Sequence, residues 1–297
     1  MVARYTDVSS LGFIGLGSMG GPMAKNLVSA GHDLTAYDLD DDALEAIADA
    51  GATAATSTAD AVEGAEVVFL SLPGPDNVDA VVEEIEADLE EGTILVDLTT
   101  STPGTTEAIE DRLSDRDIDV LGAPVSGGSS GANAGTLSII VGGDEAVFEA
   151  CEPLFEVIGS DIFHVGDGVG HGHAVKLLNN YLSNIALLAT SEAVILGDAA
   201  GLDRQTLVDV FSVSSGRNSA NQDKIPNYVL TGEYDMGFKI GLMEKDMRLL
   251  SEFAGEQQVP MLLGHLTRDL AGYAKTKKGF DSDMTRVYDF LEEFMLE

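Results

Sequence analysis

Apolar and polar positions along the chain follow two alternating rhythms. Residues 11–16 form a short continuous apolar run, the pattern of a strand buried on both faces. Residues 23–30 then place apolar side chains at helical spacing, and Gly31 stands where a helix C-cap glycine is expected. A second strand is predicted over 34–37 and helical pattern over 40–50. A continuous apolar strand follows over 67–72, ending at Pro73, then helix over 76–89, strand over 94–98 and helix over 103–115. Strands are predicted near 118–122, 136–142 and 161–165, with a helix near 144–156. This alternation predicts one mostly parallel, doubly wound sheet covered on both faces. Past residue 170 the strand signals stop, and helices are expected near 171–200, 204–213, 240–257, 261–275 and 283–296. An α/β domain over 1–168 is thus expected to hand over to an all-α domain over 169–297, with the Gly-rich 166–172 as the junction.

The first strand runs into Gly15-x-Gly17-x-x-Gly20, and the second ends in Asp38. Strand, glycine turn, helix, strand and acid, in that order, form the fingerprint of a Rossmann dinucleotide fold. Gly15 suits the tight turn, Gly17 a close backbone approach to pyrophosphate, and Gly20 close packing of helix on strand. Ser18 and Met19 lie inside the same loop, and the helix start offers N–H groups and a positive dipole end to phosphate. Asp38 can accept from a ribose 2′-hydroxyl and repels a 2′-phosphate. After Lys25 the next cationic side chain is Arg112, and Asp40, Asp41 and Asp42 follow at once, so NAD is the expected cofactor. The plainer alternative makes Asp38 one more surface acid.

Charge adds a second theme. The 297 residues carry 51 Asp and Glu against 16 Lys and Arg, a formal net charge of −35, and 44% of them are hydrophobic. The apolar share supplies sizeable cores. The acids are dispersed along the chain, as in proteins of salt-accumulating organisms, where the screening length falls to about 3 Å at 1 M salt. Folding and activity are therefore expected to need molar salt. Nucleic acid and anionic membranes, which demand basic surfaces, are disfavoured as partners. No run of 18 or more uninterrupted apolar residues suggests a membrane helix. A lone Cys151 and the absence of a secretory pattern at the start suit a cytoplasmic protein.

Lys176 is the only formally charged side chain between Asp167 and Glu192. Its surroundings read as a long helix, apolar nearly all round and hence buried. Asn179, Asn180, Ser183 and Asn184 share a face with it. Burial would lower the pKa of such an amine and make it a usable proton donor or acceptor; the alternative is a lysine snorkelling from a helix end. Ala123-Pro124-Val125-Ser126-Gly127-Gly128 could hold a substrate carboxylate on a hydroxyl and exposed N–H groups, or simply form a flexible hairpin loop. His171 and His173 lack a nearby Asp, Glu or Cys to complete a metal site, so none is expected.

GFIGLGSMGGPMAKNL, LVDLTTSTP, APVSGG with GTLSIIVGG, GHGHAVKLLNN and LMEKDMRLL together resemble, in order, the motifs of the β-hydroxyacid dehydrogenase family, and within it the 3-hydroxyisobutyrate dehydrogenases and tartronate semialdehyde reductases. The resemblance runs from about residue 11 to the C-terminus. It implies an NAD-dependent oxidoreductase acting on a small β-hydroxy acid or semialdehyde, in a homodimer or homotetramer. Lys176 matches the catalytic lysine and Asn180 the asparagine that places substrate. Ser126, Gly127 and Gly128 match the carboxylate loop; Leu72, Pro73, Asn77 and Thr100 match cofactor contacts; and Lys245 matches a lysine reaching the cofactor from the second domain. The site is expected between the domains. Gly122 departs from the usual Asp before APVSGG, a change expected to alter only the loop's support. His171 and His173 are less usual in the turn before the lysine, although decarboxylating 6-phosphogluconate enzymes carry a histidine in a similar place. Arg217, Lys224 and Lys239 are candidates for a distal cation cluster. Reduction of tartronate or succinic semialdehyde is the enzymatic alternative, and a non-catalytic dinucleotide-binding module the other.

Overall fold

The computed structural model describes residues 10–296, and the chain divides into two compact units, the first ending at Lys176 and the second beginning at Leu177. The first opens with β1 (Ser10–Ile14), α1 (Gly20–Ser29), β2 (Asp33–Tyr37), α2 (Asp41–Ala48), β3 (Thr53–Ala54), α3 (Thr58–Val62) and β4 (Val67–Leu70). It continues with α4 (Pro75–Ile85), β5 (Ile94–Asp97), α5 (Pro103–Leu113) and β6 (Asp119–Gly122). All six strands are parallel, in the order β3-β2-β1-β4-β5-β6. Strands buried on both faces need no alternation, and β4 (VVFL) and β5 (ILVD) are buried throughout. Phe13, Phe69 and Val96 pack on one face with Met23 and Leu27 of α1. Val68, Leu70 and Leu95 pack on the other with Val78 and Val82 of α4 and Ile109 of α5. Turn chemistry fixes the helix starts: the Asp40 carboxylate caps α2, and the Thr102 hydroxyl caps α5 ahead of Pro103.

The expectation of a single sheet needs correction. β7 (Val125–Ser126), α6 (Gly128–Ala134), β8 (Leu137–Val141), α7 (Glu145–Ile158) and β9 (Gly159–His164) follow, and their strands form a separate sheet ordered β7-β8-β9. β7 runs antiparallel to β8 and β9 parallel to it. Pro124, which has no N–H to give a ladder, ends the continuity after Gly122. Reciprocal bonds between Gly122 and Gly142, at 3.0 and 2.9 Å, tie the small sheet to the end of β6. The loop expected at 123–135 therefore contains a short strand and a helix.

α8 (His171–Ala199) begins in the first unit and continues into the second. There follow α9 (Arg204–Val213), a π-helical segment (Ala220–Val229), α10 (Ile240–Glu256), α11 (Leu262–Lys278), a 3₁₀ turn (Met284–Arg286) and α12 (Val287–Leu296). The π-helical segment was not legible in the pattern. The second unit's core gathers Leu187, Leu188, Ile195, Met243, Tyr288 and Leu291. α8 is not buried all round, as its composition suggests: Leu178, Leu182 and Leu196 are exposed, at 43%, 63% and 68%. Its length and mean hydropathy of 1.2 would also suit a membrane-crossing helix, a measure that a core helix passes equally.

Candidate active site

The glycine fingerprint performs three separable tasks. Gly15 has φ 98°, donates its N–H to the Tyr37 carbonyl at 3.0 Å, and has no room for a Cβ, which would lie 2.2 Å from the Ser71 carbonyl oxygen. A Cβ on Gly20 would lie 1.9 Å from the Gly15 carbonyl oxygen, so α1 rests directly on the turn. A Cβ on Gly17 would meet nothing within 4 Å. Packing therefore does not require that glycine, and access to the backbone does. Among the described residues no side chain caps the first turn of α1, where Ser18 and Met19 lead into the helix and the Gly21 N–H is met by the Gly17 carbonyl at 3.0 Å. Asp38 is brought onto this loop: its Oδ2 accepts from the Leu16 N–H at 2.5 Å and its Oδ1 from the Asp40 N–H at 2.9 Å. Open space over Gly17, uncapped donors and an acid at the tip of β2 fit a dinucleotide's pyrophosphate and ribose.

The loops after β4 and β5 meet beside it. The Leu72 N–H donates to Thr99 Oγ1 at 3.0 Å, and the Thr99 N–H donates to Asp97 Oδ1 at 2.9 Å. Leu72 and Thr100 are half-buried, whereas Pro73 and Asn77 are exposed. The other Asp97 oxygen lies 3.5 Å from Nε2 of His173, a ring wholly buried in the first turn of α8. Desolvation pushes the His173 pKa down to about 3, so the ring is neutral beside the carboxylate. His171, in contrast, is exposed. Gly122 is explained here and does more than support its loop. A Cβ on it would lie 2.8 Å from both Cδ2 and Nε2 of His173 and 2.2 Å from the Val169 carbonyl oxygen. The missing side chain is the space the imidazole and the start of α8 occupy.

Lys176 follows His173 by three residues and is 7% exposed. The small sheet supplies Ser126, half-buried in β7, and Gly127 and Gly128 with φ 136° and 65°. A Cβ on Gly128 would meet open space. Further along α8, Asn180 donates through Nδ2 to Oδ2 of the buried Asp246 at 2.7 Å, while Asp246 Oδ1 lies 3.3 Å from Lys245 Nζ. The helix face expected to carry four polar groups divides: Asn179 is exposed, Asn180 and Ser183 are half-buried, and Asn184 is 3% exposed. Lys224 Nζ donates to Ser183 Oγ at 2.7 Å and Ser219 Oγ at 3.1 Å. The three distal cation candidates have different fates, since Lys239 pairs with Asp281 at 2.8 Å and Arg217 is exposed.

Asp97, Thr99 and Asp246 were not singled out by sequence reasoning, and His173 stood out only as an unusual neighbour of the lysine. Asp246 sits inside the LMEKDMRLL motif beside Lys245, so the motif held a signal, but its partner is on another helix.

The chain matches two family models: the NAD binding domain of 6-phosphogluconate dehydrogenase over residues 10–166, and the NAD-binding domain of NADP-dependent 3-hydroxyisobutyrate dehydrogenase over 170–291. It is 38% identical over 254 residues to 2-(hydroxymethyl)glutarate dehydrogenase of Eubacterium barkeri, covering 84% of each chain. It is also 38% identical over 272 residues to an NAD-dependent L-serine dehydrogenase of Pseudomonas aeruginosa, covering 89% of this chain and 91% of the relative. Among solved structures, a Mycobacterium tuberculosis 3-hydroxyisobutyrate dehydrogenase with L-serine superposes with a TM-score of 0.91 at 30% identity, covering 96% of this chain and 99% of that one. The chain belongs to the β-hydroxyacid dehydrogenase family. It is an NAD-dependent oxidoreductase of small β-hydroxy acids, built on a Rossmann-type sheet followed by a helical region.

Proposed function

We propose that this enzyme interconverts a small β-hydroxy acid and its semialdehyde in the manner of 3-hydroxyisobutyrate dehydrogenase, preferring NAD to NADP. One observation carries the reading: Lys176 is a buried amine one helical turn before Asn180, and the Asn180 amide is held by Asp246 at 2.7 Å. A binding module without chemistry would gain nothing from that arrangement.

In this mechanism the substrate carboxylate rests on the Ser126 hydroxyl and the N–H groups of Gly127 and Gly128. Lys176 takes the hydroxyl proton during oxidation and returns it during reduction. Asn180 commits one Nδ2 hydrogen to Asp246, and its second hydrogen steadies the reacting oxygen. Gly15, Gly17, Ser18, Met19, Gly20, Leu72, Pro73, Asn77, Thr100 and Lys245 hold the cofactor, with Asp38 on the ribose. When bound, the nicotinamide accepts or returns the hydride. Arg112, the first cation after the fingerprint, is engaged with Asp79 at 3.2 Å and Glu86 at 3.1 Å, which supports NAD over NADP. Tartronate or succinic semialdehyde would suit the same core machinery.

The exposed Leu178, Leu182 and Leu196 support self-association through α8 as a homodimer or homotetramer. The buried lone thiol suits a reducing cytoplasm, and the net charge of −35 suits a salt-rich one. Neither nucleic acid nor membrane is assigned as a partner. Lys176→Ala tests the mechanism: kcat should fall at least a hundredfold, to about 2.7 kcal/mol of lost transition-state stabilisation, while NADH still binds by fluorescence titration. Retained turnover removes Lys176 from the chemistry.

A further inference from the structure

Lys224 is 3% exposed, and the hydrogen-bond partners of its Nζ among the described residues are serine oxygens rather than carboxylates. A buried ammonium without a counter-ion is costly unless its hydrogens are met and its charge is used. Its hydrogens are met by neutral oxygens: Ser183 Oγ at 2.7 Å, Ser219 Oγ at 3.1 Å and the Ser183 carbonyl at 3.4 Å. Burial lowers its pKa, and the nearby Asp223 partly restores it. The Asp223 carboxylate itself accepts from Asn227 at 2.9 Å.

A serine hydroxyl that accepts from an ammonium still has its own hydrogen to donate. Neither the Ser183 nor the Ser219 hydroxyl donates to another protein group among the described residues. Ser219 is exposed and Ser183 half-buried. Two hydroxyls with hydrogens left to donate, both bonded to one cation, are the recognition chemistry of an oxyanion. Among the described residues the Lys224 Nζ is bonded to serine oxygens, with Asp223 acting on it only from a distance, so an anionic ligand at the two hydroxyls would complete its charge balance.

We infer that Ser183, Ser219 and Lys224 bind a second anionic group of the substrate, which makes the preferred substrate a β-hydroxy acid with a terminal carboxylate. This rests on the proposed role of Lys176 and narrows the substrate class. Spacing supports it: Ser183 follows Lys176 by seven residues on α8, about 10 Å along the helix. From the reacting hydroxyl to the far carboxylate of a five-carbon diacid is about 6 Å with bonds near 1.5 Å. A hydrogen bond of about 2.8 Å at each end brings the span to about 12 Å. A monoacid with only a methyl branch ends short of the serines.

The test compares kcat/KM for 2-(hydroxymethyl)glutarate with that for 3-hydroxyisobutyrate, in wild type and in Lys224→Met. The ratio should exceed one in wild type and fall at least tenfold in the variant, with the loss mainly in KM. Ser219→Ala, at an exposed position, should lower the ratio about threefold and keeps the test decisive should the buried variant not fold. Replacing the far carboxylate by a sulfonate of equal length separates general oxyanion recognition, where the sulfonate is also favoured over the monoacid, from carboxylate selectivity, where only the diacid is. An unchanged ratio in both variants, or an equal loss on both substrates, overturns the site while leaving the proposed reaction standing. Wild-type turnover of neither hydroxy acid overturns both.

Discussion

Gly122→Ala places one methyl group where three atoms already stand. Its Cβ would lie 2.2 Å from the Val169 carbonyl oxygen and 2.8 Å from both Cδ2 and Nε2 of His173. The carbonyl is main chain and the ring is completely buried, so relief requires moving the start of α8. Overpacking of a dense core costs about 1–3 kcal/mol, and obstruction by backbone puts this site at about 3 kcal/mol. At about 2–4 °C per kcal/mol for a unit of this size, the melting temperature should fall by about 6–12 °C. Activity should fall further, because Lys176 lies one turn beyond His173 and displacing a reacting group by about 1 Å costs about a hundredfold. Melts followed by circular dichroism in 2–3 M KCl, paired with kcat, read both effects; the salt range is chosen to give a Debye length of about 2 Å. Gly17→Ala is the control, since its Cβ meets open space; that variant should keep its melting temperature and lose NADH affinity. Adding His173→Ala to Gly122→Ala should recover only part of the loss, because the clash with the Val169 carbonyl remains. A Gly122→Ala protein that melts within about 2 °C of wild type with full kcat would refute the reasoning.

Asp38→Ala should raise the KM for NAD and lower the NAD-to-NADP ratio of kcat/KM at least tenfold, measured as initial rates with each cofactor; an unchanged ratio would reduce Asp38 to a loop brace for Leu16. His173 gives a pH prediction whose sign follows from its lowered pKa of about 3. The unfolded chain takes up a proton near pH 6.5 and the folded one does not, so stability drops as pH falls from about 6.5 towards 3. His173→Gln should flatten that part of the stability curve in urea titrations, and an identical slope would show that the ring is not the source. Cys151 is completely buried, with its thiol pushed up to about 12 by desolvation. In molar KCl it should resist a thiol-specific chromophore for hours, and dilution to about 0.01 M salt, where the screening length grows to about 30 Å, should release it as the acidic chain expands. Equal protection at both salt levels would separate the acidity from any need for salt.

The glycine turn was legible because strand, turn and helix periods are local signals and Gly20 rests on Gly15 five residues before it, whereas the approach of Gly15 to Ser71 is made only by folding. Gly122 could be noticed as a departure, but its reason, His173, is brought against it only by folding. Asn180 was legible by its place one turn past Lys176, whereas Asp246, which orients it, is held there only by the packing of α10. The small β7-β8-β9 sheet escaped notice because Pro124 and a run of Ser and Gly read as a loop, and pairing with Gly142 is non-local. The π-helical segment has no apolar repeat to announce it. Lys224 was visible as one of three scattered cations; only packing separated it from Lys239, neutralised by Asp281, and from the exposed Arg217.

The continuity of α8 bears on how such enzymes diversify. Lys176 closes the first unit, and Asn180, Ser183, Ser219 and Lys224 all belong to the second, with one helix running from Lys176 into it. A crossover between genes within those few residues would exchange the groups assigned to selecting a substrate as one cassette. The glycine-turn half and the amine proposed to carry the proton would pass on unchanged, so a new preference could arise without reinventing the chemistry.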